Sequence, residues 1–138
     1  RYGMVIAVVG MTLLAGLARE TSSVRLGALV TGNTYRNPAI LAKTVTALDL
    51  VSNGRAQLGI GAGWFELEHE AYGLEFGTFT DRFEKVRRVI FKLGLETRAR
   101  YVERATMEGE RTLPLAEIAP ESVPYISMIL IPGERWQG

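Results

Sequence analysis

One short stretch of the chain, residues 58–69, combines residue types that can do chemistry: LGIGAGWFELEH. Glycines alternate with small apolar residues at Gly59, Gly61 and Gly63, and the bulky Trp64 follows directly. Because glycine has no side chain, a flat ring can approach the backbone closely at such a strand end, with the indole as a wall. The pattern indicates either a platform for a planar redox cofactor or a tight turn in which the glycines relieve crowding.

Acidic and basic groups follow the glycines within a few residues. Glu66, Glu68 and His69, the only histidine of the chain, can hydrogen-bond to a substrate or transfer a proton. Imidazole suits proton transfer because it titrates near neutral pH. For His69 a structural role, as a local cap or a packed side chain, is the alternative.

Two phosphate-binding patterns fit this stretch poorly. A dinucleotide fingerprint, G-x-G-x-x-G, needs its third glycine where the chain has Trp64, and it needs a helix to begin at once. A P-loop needs G-K-[ST], which does not occur in the sequence. The spacing therefore favours a ring-binding strand end over a phosphate-binding loop.

The composition excludes several classes of site. The chain of 138 residues has no cysteine and one histidine, so it predicts neither disulfides nor a metal centre. Its net charge of +1 gives no general attraction to nucleic acid or to anionic membranes. Basic residues exceed acidic ones between residues 82 and 111, but they fit the exposed face of a helix. We expect a small-molecule substrate, no nucleic-acid partner and, from the lack of cysteine, a cytoplasmic location.

The elements that position the glycines form a predicted strand–helix–strand unit. Residues 24–30 and residues 56–62 are apolar runs typical of buried parallel strands, and Asn37 is placed to cap the helix between them. Parallel strands bring their carboxyl ends to one edge of a sheet. The turns at residues 31–33 and 62–64 should therefore meet at the edge where α/β proteins bind ligands. The sequence predicts the α/β class.

The N-terminal segment is open to two interpretations. Residues 2–18 carry no charge, and their length is near the lower limit for a membrane span. Leu13, Leu14 and Leu17 instead fall at helical spacing and predict a helix with a buried face. We favour the buried helix and keep a membrane anchor as the alternative.

Two further elements are predicted downstream. Thr78 and Asp81 have the spacing of a capping box at the start of a helix. The apolar stripe of that helix comprises Phe83, Val86, Val89, Ile90 and Leu93. Residues 125–131 predict one more strand.

Several motifs together resemble the luciferase-like monooxygenase family. The sequences TGNTYRNP, GIGAGW and EHEAYG, followed by FTDRFEKV, carry this resemblance, which extends from about residue 13 to residue 89. It implies an oxidoreductase that uses FMN or the deazaflavin coenzyme F-420 for hydride transfer, and it looks most like the F-420-using branch. It also implies a (β/α)8 TIM barrel, with residues 24–30 as the third strand and residues 56–62 as the fourth.

The resemblance implies a site residue by residue. The third strand would end in a bulge near residues 29–31, often with a non-proline cis peptide, that backs the cofactor ring. Glu66 and His69 would lead toward the substrate pocket as catalytic groups. The residues expected to bind the cofactor lie at the ends of the two strands: Leu29, Val30, Thr31, Gly32, Asn33, Ala62, Gly63 and Trp64.

The chain is much shorter than the roughly 200–250 residues of a TIM barrel. We therefore expect one incomplete domain, residues 1–138, holding about strands three to four or five of a partial barrel. Residues 94–138 depart from the family pattern and are rich in proline, although residues 123–135 resemble the fifth strand. Such a fragment is expected to be inactive alone. The alternatives are a non-catalytic remnant or interaction module, which could form a homodimer through an exposed sheet edge, and a small membrane-anchored protein.

Overall fold

Helices and strands alternate in a computed structural model, which describes residues 3–124 and 127–133. The helices are α1 (Gly3–Glu20), α2 (Pro38–Val51), α3 (Glu66–Ala71) and α4 (Phe79–Lys92). The strands are β1 (Thr31–Gly32), β2 (Gln57–Gly61), β3 (Arg100–Glu103), β4 (Arg111–Pro114) and β5 (Ser127–Pro132). They form one mixed sheet in the order β1-β2-β5-β3-β4. The α/β class is confirmed, whereas the described strands form an open sheet and not a closed barrel.

The predicted strand–helix–strand unit is present. β1 and β2 are parallel, with Thr31 opposite Ile60. The side chain of Asn37 accepts a hydrogen bond of 2.8 Å from the backbone N–H of Ala39 and caps α2, whose first residue is Pro38. Proline is favourable there because N–H groups in the first turn have no acceptor within the helix, so the missing N–H costs no hydrogen bond.

The first strand of this unit differs from the prediction. Leu26 pairs with Ala56 and Thr31 with Ile60, so the first strand advances five residues while β2 advances four. The extra residue makes a bulge, and the peptide bond between Leu29 and Val30 within it is cis. Residues 24–30 are therefore not a continuous strand. This bulge, with its cis peptide, lies where the family resemblance places it.

β5 also differs from the prediction. It runs antiparallel to both β2 and β3, whereas the fifth strand of a TIM barrel would run parallel to the fourth. Ile129 and Ile131 are buried, while the alternate residues Met128 and Leu130 are only half-buried. This alternation is typical of an antiparallel strand with one covered face, since barrel strands are buried on both faces. Positions 125 and 126 of the predicted strand lie outside the described residues.

The covered face of the sheet packs against α2 and α4. The capping box of α4 is confirmed, since Thr78 and Asp81 exchange backbone-to-side-chain hydrogen bonds of 3.1 and 3.2 Å. A hydrogen bond of 2.6 Å from the Thr78 hydroxyl, followed by the one from the Thr78 backbone N–H, holds the pKa of the Asp81 carboxyl below its usual value. Of the predicted stripe of α4, three residues are buried and Leu93 is not. The core comprises mainly Leu41, Leu48, Leu58, Ile60, Phe83, Val86, Ile90, Tyr101, Ile129 and Ile131.

The buried face of α1 agrees with the predicted one only at Leu14, which is half-buried against the core. Leu13 and Leu17 are at least half exposed, and Met11 and Ala18 are buried instead. Arg55 accounts for part of this orientation, because its guanidinium donates a hydrogen bond of 2.8 Å to the Ala18 carbonyl at the end of α1. Within the described residues, no helix combines the length and the apolar character that a membrane span needs.

Candidate functional site

A cavity of about 340 Å³ lies between the bulge that precedes β1 and the turn that follows β2. Five of the residues that the sequence predicts to bind a cofactor line it: Leu29, Val30, Ala62, Gly63 and Trp64. Its other walls come from β2, the buried face of α4 and the start of β5: Ile60, Gly61, Phe79, Phe83, Val86, Ser127, Met128 and Ile129. The bulge and the turn at residues 62–64 therefore share this cavity, whereas residues 31–33 of the other predicted turn do not line it, and the lining is mostly apolar.

The mouth of the cavity exposes large apolar side chains. Leu29 is 74% exposed and Trp64 is 67% exposed. The indole of Trp64 stacks on the ring of Phe65, with centroids 5.2 Å apart and planes inclined by 30°. Because exposed apolar groups of this size are unusual when clustered, the mouth has the character of a binding surface.

The glycines of β2 make room for the bulge beside them. A Cβ atom on Gly59 would lie 2.6 Å from the carbonyl oxygen of Ala28, and one on Gly61 would lie 2.9 Å from Cγ2 of Val30. The alternation of glycines in the sequence therefore reflects the close approach of the neighbouring strand. The bulge in turn supplies Leu29 and Val30 to the cavity.

Gly63 has a different requirement. Its φ is +79°, in the left-handed region, and a Cβ there would lie 2.6 Å from Oγ1 of Thr34. Because of both features, any side chain at this position would cost considerable free energy. The turn that carries Ala62 and Trp64 therefore depends on this glycine.

The remaining predicted residues near β1 lie beside the cavity. Thr31 and Asn33 are both buried, and Gly32 is half-buried opposite Gly61. The side-chain N–H of Asn33 donates to the backbone oxygen of Arg82 at 3.4 Å. The Oδ1 of Asn33 has no hydrogen-bond partner in the described part of the chain.

His69 is fully buried on α3. Its Nδ1 lies 2.7 Å from the carbonyl oxygen of Phe65, and its Nε2 lies 2.5 Å from the hydroxyl of Thr34. The ring packs between Tyr35 and Phe76, at centroid distances of 4.5 and 4.7 Å. Both ring nitrogens are therefore occupied by partners from the chain itself.

The two carboxylates near His69 lie in contrasting environments. Glu66 begins α3 and is exposed, whereas Glu68 is buried beside Tyr35. Burial and the neighbouring Glu68 carboxylate raise the pKa of the Tyr35 hydroxyl well above its ordinary value. Tyr35 therefore stays protonated at physiological pH and can donate a hydrogen bond to Glu68.

Arg82 is the main contributor that sequence reasoning missed. It is 5% exposed and donates a hydrogen bond of 3.1 Å to the carbonyl oxygen of Ala62 and one of 2.8 Å to that of Gly77. Its guanidinium lies 3.7 Å from the centroid of the Phe76 ring. The sequence pattern could have indicated its burial, because Arg82 lies next to Phe83 and four residues before Val86, on the apolar side of α4.

A cluster of polar side chains lies on β3 and β4, and one of its residues pairs with a residue of the cavity wall. Glu103 on β3 is opposite Ser127, which lines the cavity. Its carboxylate accepts a hydrogen bond of 2.8 Å from the Tyr101 hydroxyl and one of 2.6 Å from Nε of Arg111. The Arg111 bond, followed by the Tyr101 bond, lowers the pKa of Glu103, and burial raises that of Tyr101 to about 12.

Acid is expected to remove the contribution of Glu103 to stability. Since its folded pKa lies below the value of about 4.3 usual for glutamate, the contribution is present at neutral pH and is lost as the pH falls through the folded pKa. Urea unfolding at about pH 7 and pH 3 should show a smaller pH-induced loss of stability in Glu103→Gln than in the parent. Glu121→Gln, an exposed control, should keep the parent's pH dependence, and an equal loss in both variants would contradict this account.

Metal chemistry has no support in the described residues, among which no group of three or more metal-ligating side chains occurs. The candidate site in this part of the chain comprises the apolar cavity, its glycine turn and the buried polar residues behind it.

Comparison with known proteins places this geometry in a family. Residues 5–132 match the sequence profile of the luciferase-like monooxygenases. An F420-dependent glucose-6-phosphate dehydrogenase of Kineococcus radiotolerans is 40% identical over 101 residues, which cover 70% of this chain and 28% of that protein. One from Amycolatopsis mediterranei is 36% identical over 78 residues, covering 56% of this chain and 23% of that protein.

A different kind of enzyme also matches. A phthiodiolone/phenolphthiodiolone dimycocerosates ketoreductase of Mycobacterium tuberculosis is 44% identical over 75 residues, covering 54% of this chain and 19% of that protein. The matched regions thus span between 19% and 28% of these three relatives. Because the family profile matches nearly the whole chain, the protein belongs to the luciferase-like monooxygenase family.

Proposed function

We propose that this chain carries the ring-binding edge of an oxidoreductase that transfers hydride between a small-molecule substrate and a flavin-type cofactor, F-420 or FMN. The observation that carries the proposal is the apolar cavity between the bulge before β1 and the carboxyl end of β2, its parallel neighbour. Family membership supports the flavin-type cofactor, and the relatives named as F420-dependent favour F-420 over FMN.

The residues around the cavity fit a planar, largely apolar ring. Its volume of about 340 Å³ is within the range of about 300–1,000 Å³ that small-molecule sites occupy. Leu29, Val30 and Trp64 present apolar surface, and Gly63 leaves its backbone uncovered. The unsatisfied Oδ1 of Asn33 is a buried acceptor for a hydrogen-bond donor on a bound group.

We propose a separate role for the cofactor and for each residue around the cavity. The cofactor, when bound, supplies the group that accepts or donates hydride. Leu29 and Val30 back one face of the ring, and Trp64 shields its edge from water. Glu66, exposed two residues after Trp64, is the proposed partner for a polar group of the substrate. The chain therefore mainly positions the ring and excludes water.

Titration of the purified chain with F-420 and with FMN, followed by the fluorescence of each cofactor, tests the ring site. We expect saturable binding with a Kd of about 100 µM for F-420, weak because much of a ligand on an open edge stays in water. FMN is expected to bind more weakly. A flat response to both cofactors up to about 1 mM, roughly −4 kcal/mol, would refute the ring site.

The substitution Trp64→Ala gives this test a residue-level arm. Loss of stacking and of wall area should raise the Kd for F-420 about five- to tenfold, or roughly 1 kcal/mol. The matched control is Phe91→Ala, because Phe91 is 70% exposed on α4 and does not line the cavity. Equal weakening by the two variants would argue for non-specific adsorption of the cofactor.

Turnover is a separate matter from ring binding. Since the chain spans at most 28% of the relatives named above, we propose that it binds the ring without transferring hydride by itself. Incubation with F-420 and glucose 6-phosphate, followed by absorbance of the oxidised cofactor, tests this point. Reduction of F-420 by the isolated chain would show that this edge is a complete catalyst and would overturn the proposal of an incomplete one.

A further inference from the structure

A buried pair of side chains joins the three segments that build the site. Thr34 follows β1, Gly63 follows β2, and His69 lies on α3. The hydroxyl of Thr34 is 2.5 Å from Nε2 of His69, and the position of a Cβ on Gly63 is 2.6 Å from that same hydroxyl oxygen. The same Cβ position is 3.7 Å from the His69 ring. The turn at Gly63 therefore rests directly on the Thr34–His69 pair.

The contacts of His69 determine its tautomer. The carbonyl oxygen of Phe65, 2.7 Å from Nδ1, can only accept a hydrogen bond, so Nδ1 must carry a proton. In the neutral ring Nε2 then has a lone pair, which accepts the proton of the Thr34 hydroxyl. Full burial and the flanking rings of Tyr35 and Phe76 hold the imidazole in this orientation.

We infer that the Thr34–His69 pair is the positioning device of the ring site: His69, as the Nδ1-protonated neutral imidazole, holds the Thr34 hydroxyl against Gly63 and thereby fixes the wall formed by Ala62 and Trp64. His69 acts through Thr34 and the turn and not as a proton donor to the substrate. The part of the inference that concerns cofactor affinity rests on the proposed function. The tautomer and the order of the turn do not.

Energetic reasoning agrees with a positioning role. Loss of the Thr34 hydroxyl would leave Nε2 of His69 buried without a donor, and buried unsatisfied acceptors are strongly disfavoured. The ring would then have to move or admit water, and Gly63 would lose the atom against which it packs. The loss of the hydroxyl should therefore disorder the turn at Gly63 and leave the distant core unchanged.

The first test needs no variant. His69 is the only histidine of the chain, so an untagged, ¹⁵N-labelled sample gives a single pair of imidazole nitrogens in a long-range ¹H–¹⁵N spectrum. For the neutral ring we expect a protonated Nδ1 and an unprotonated Nε2. A protonated Nε2 in the neutral ring would overturn the inference.

The second test uses Thr34→Val, which keeps the shape of the side chain and removes its hydroxyl, beside Thr34→Ser, which keeps the hydroxyl. We expect Thr34→Val to raise the Kd for F-420 about tenfold and to speed hydrogen exchange at the Gly63 and Trp64 amides by about the same factor. Thr34→Ser should stay within about twofold of the parent for both measurements. The control is Thr46→Val on α2, whose exposed hydroxyl bonds only to the Ala42 carbonyl of its own helix.

The outcomes separate this inference from the proposed function. If the parent binds F-420 and Thr34→Val binds it equally well, the positioning role is refuted and the ring site stands. If the parent binds neither cofactor, the tautomer and the exchange rates of the turn still decide the inference. Unchanged exchange at Gly63 in a folded Thr34→Val protein, or the same change in Thr46→Val, would overturn it.

Discussion

Gly63→Ala is expected to lower the free energy of unfolding by about 2–4 kcal/mol and to abolish measurable ring binding. Two costs add. A residue with a Cβ in the left-handed region costs about 1–2 kcal/mol, and Gly63 has a φ of +79°. The new Cβ would also lie 2.6 Å from Oγ1 of Thr34, so that Thr34, its partner His69 or the turn must move.

Gly73→Ala separates these two costs. Gly73 also has a positive φ, +65°, but no atom lies within 4 Å of the position of its Cβ. Urea unfolding should therefore show only the backbone cost of about 1–2 kcal/mol, and titration with F-420 should match the parent. If both alanine variants lose the same stability and bind F-420 equally, the contact between Gly63 and Thr34 has no special role.

Arg82→Leu is expected to cost about 3–4 kcal/mol of stability, because two carbonyl oxygens lose a charged donor at once and the contact of the guanidinium with Phe76 is lost. The guanidinium bonds to the carbonyl oxygens of Ala62 and Gly77 and lies over the Phe76 ring. Since the bond to Ala62 ties the cavity wall to α4, ring binding should weaken together with stability. Chemical unfolding and the F-420 titration measure the two effects.

Two companion variants show whether the geometry of Arg82 is responsible. Arg88→Leu removes an exposed arginine from the same helix and should change stability by less than about 0.5 kcal/mol. Arg82→Lys keeps the charge, but an ammonium lacks the planar fork that reaches both carbonyls, so an intermediate loss is expected. A loss in Arg82→Leu no larger than in Arg88→Leu would contradict the role given to the guanidinium.

The site depends on the strand–helix–strand unit and its supports, and not on a closed barrel. β1 and β2 place the bulge and the glycine turn at one edge, while α4 supplies Arg82 and the apolar floor. The other strands run antiparallel to their neighbours, yet the cavity is formed. A chain whose matched region spans 28% of one relative thus forms this cavity from an open sheet.

Much of the local structure was predictable from the sequence. Asn37 caps α2, Thr78 and Asp81 form the capping box of α4, and the apolar runs around α2 lie parallel. These features depend on groups within a few residues of one another, or on the general rule that a helical crossover joins parallel strands. The expectation that the ends of the first and second strands lie side by side follows from the same rule, because parallel strands share an edge.

Only the tertiary structure decided the features that depend on distant partners. The burial of His69 requires Thr34, and the rotation of α1 involves Arg55, each more than thirty residues away. The direction of β5 depends on its antiparallel pairing with β2 and β3, which the periodicity of its own residues does not state. Hydrogen bonds within one turn can be predicted from the types of neighbouring residues. Buried polar contacts between distant segments cannot, because their partners are brought together only by folding.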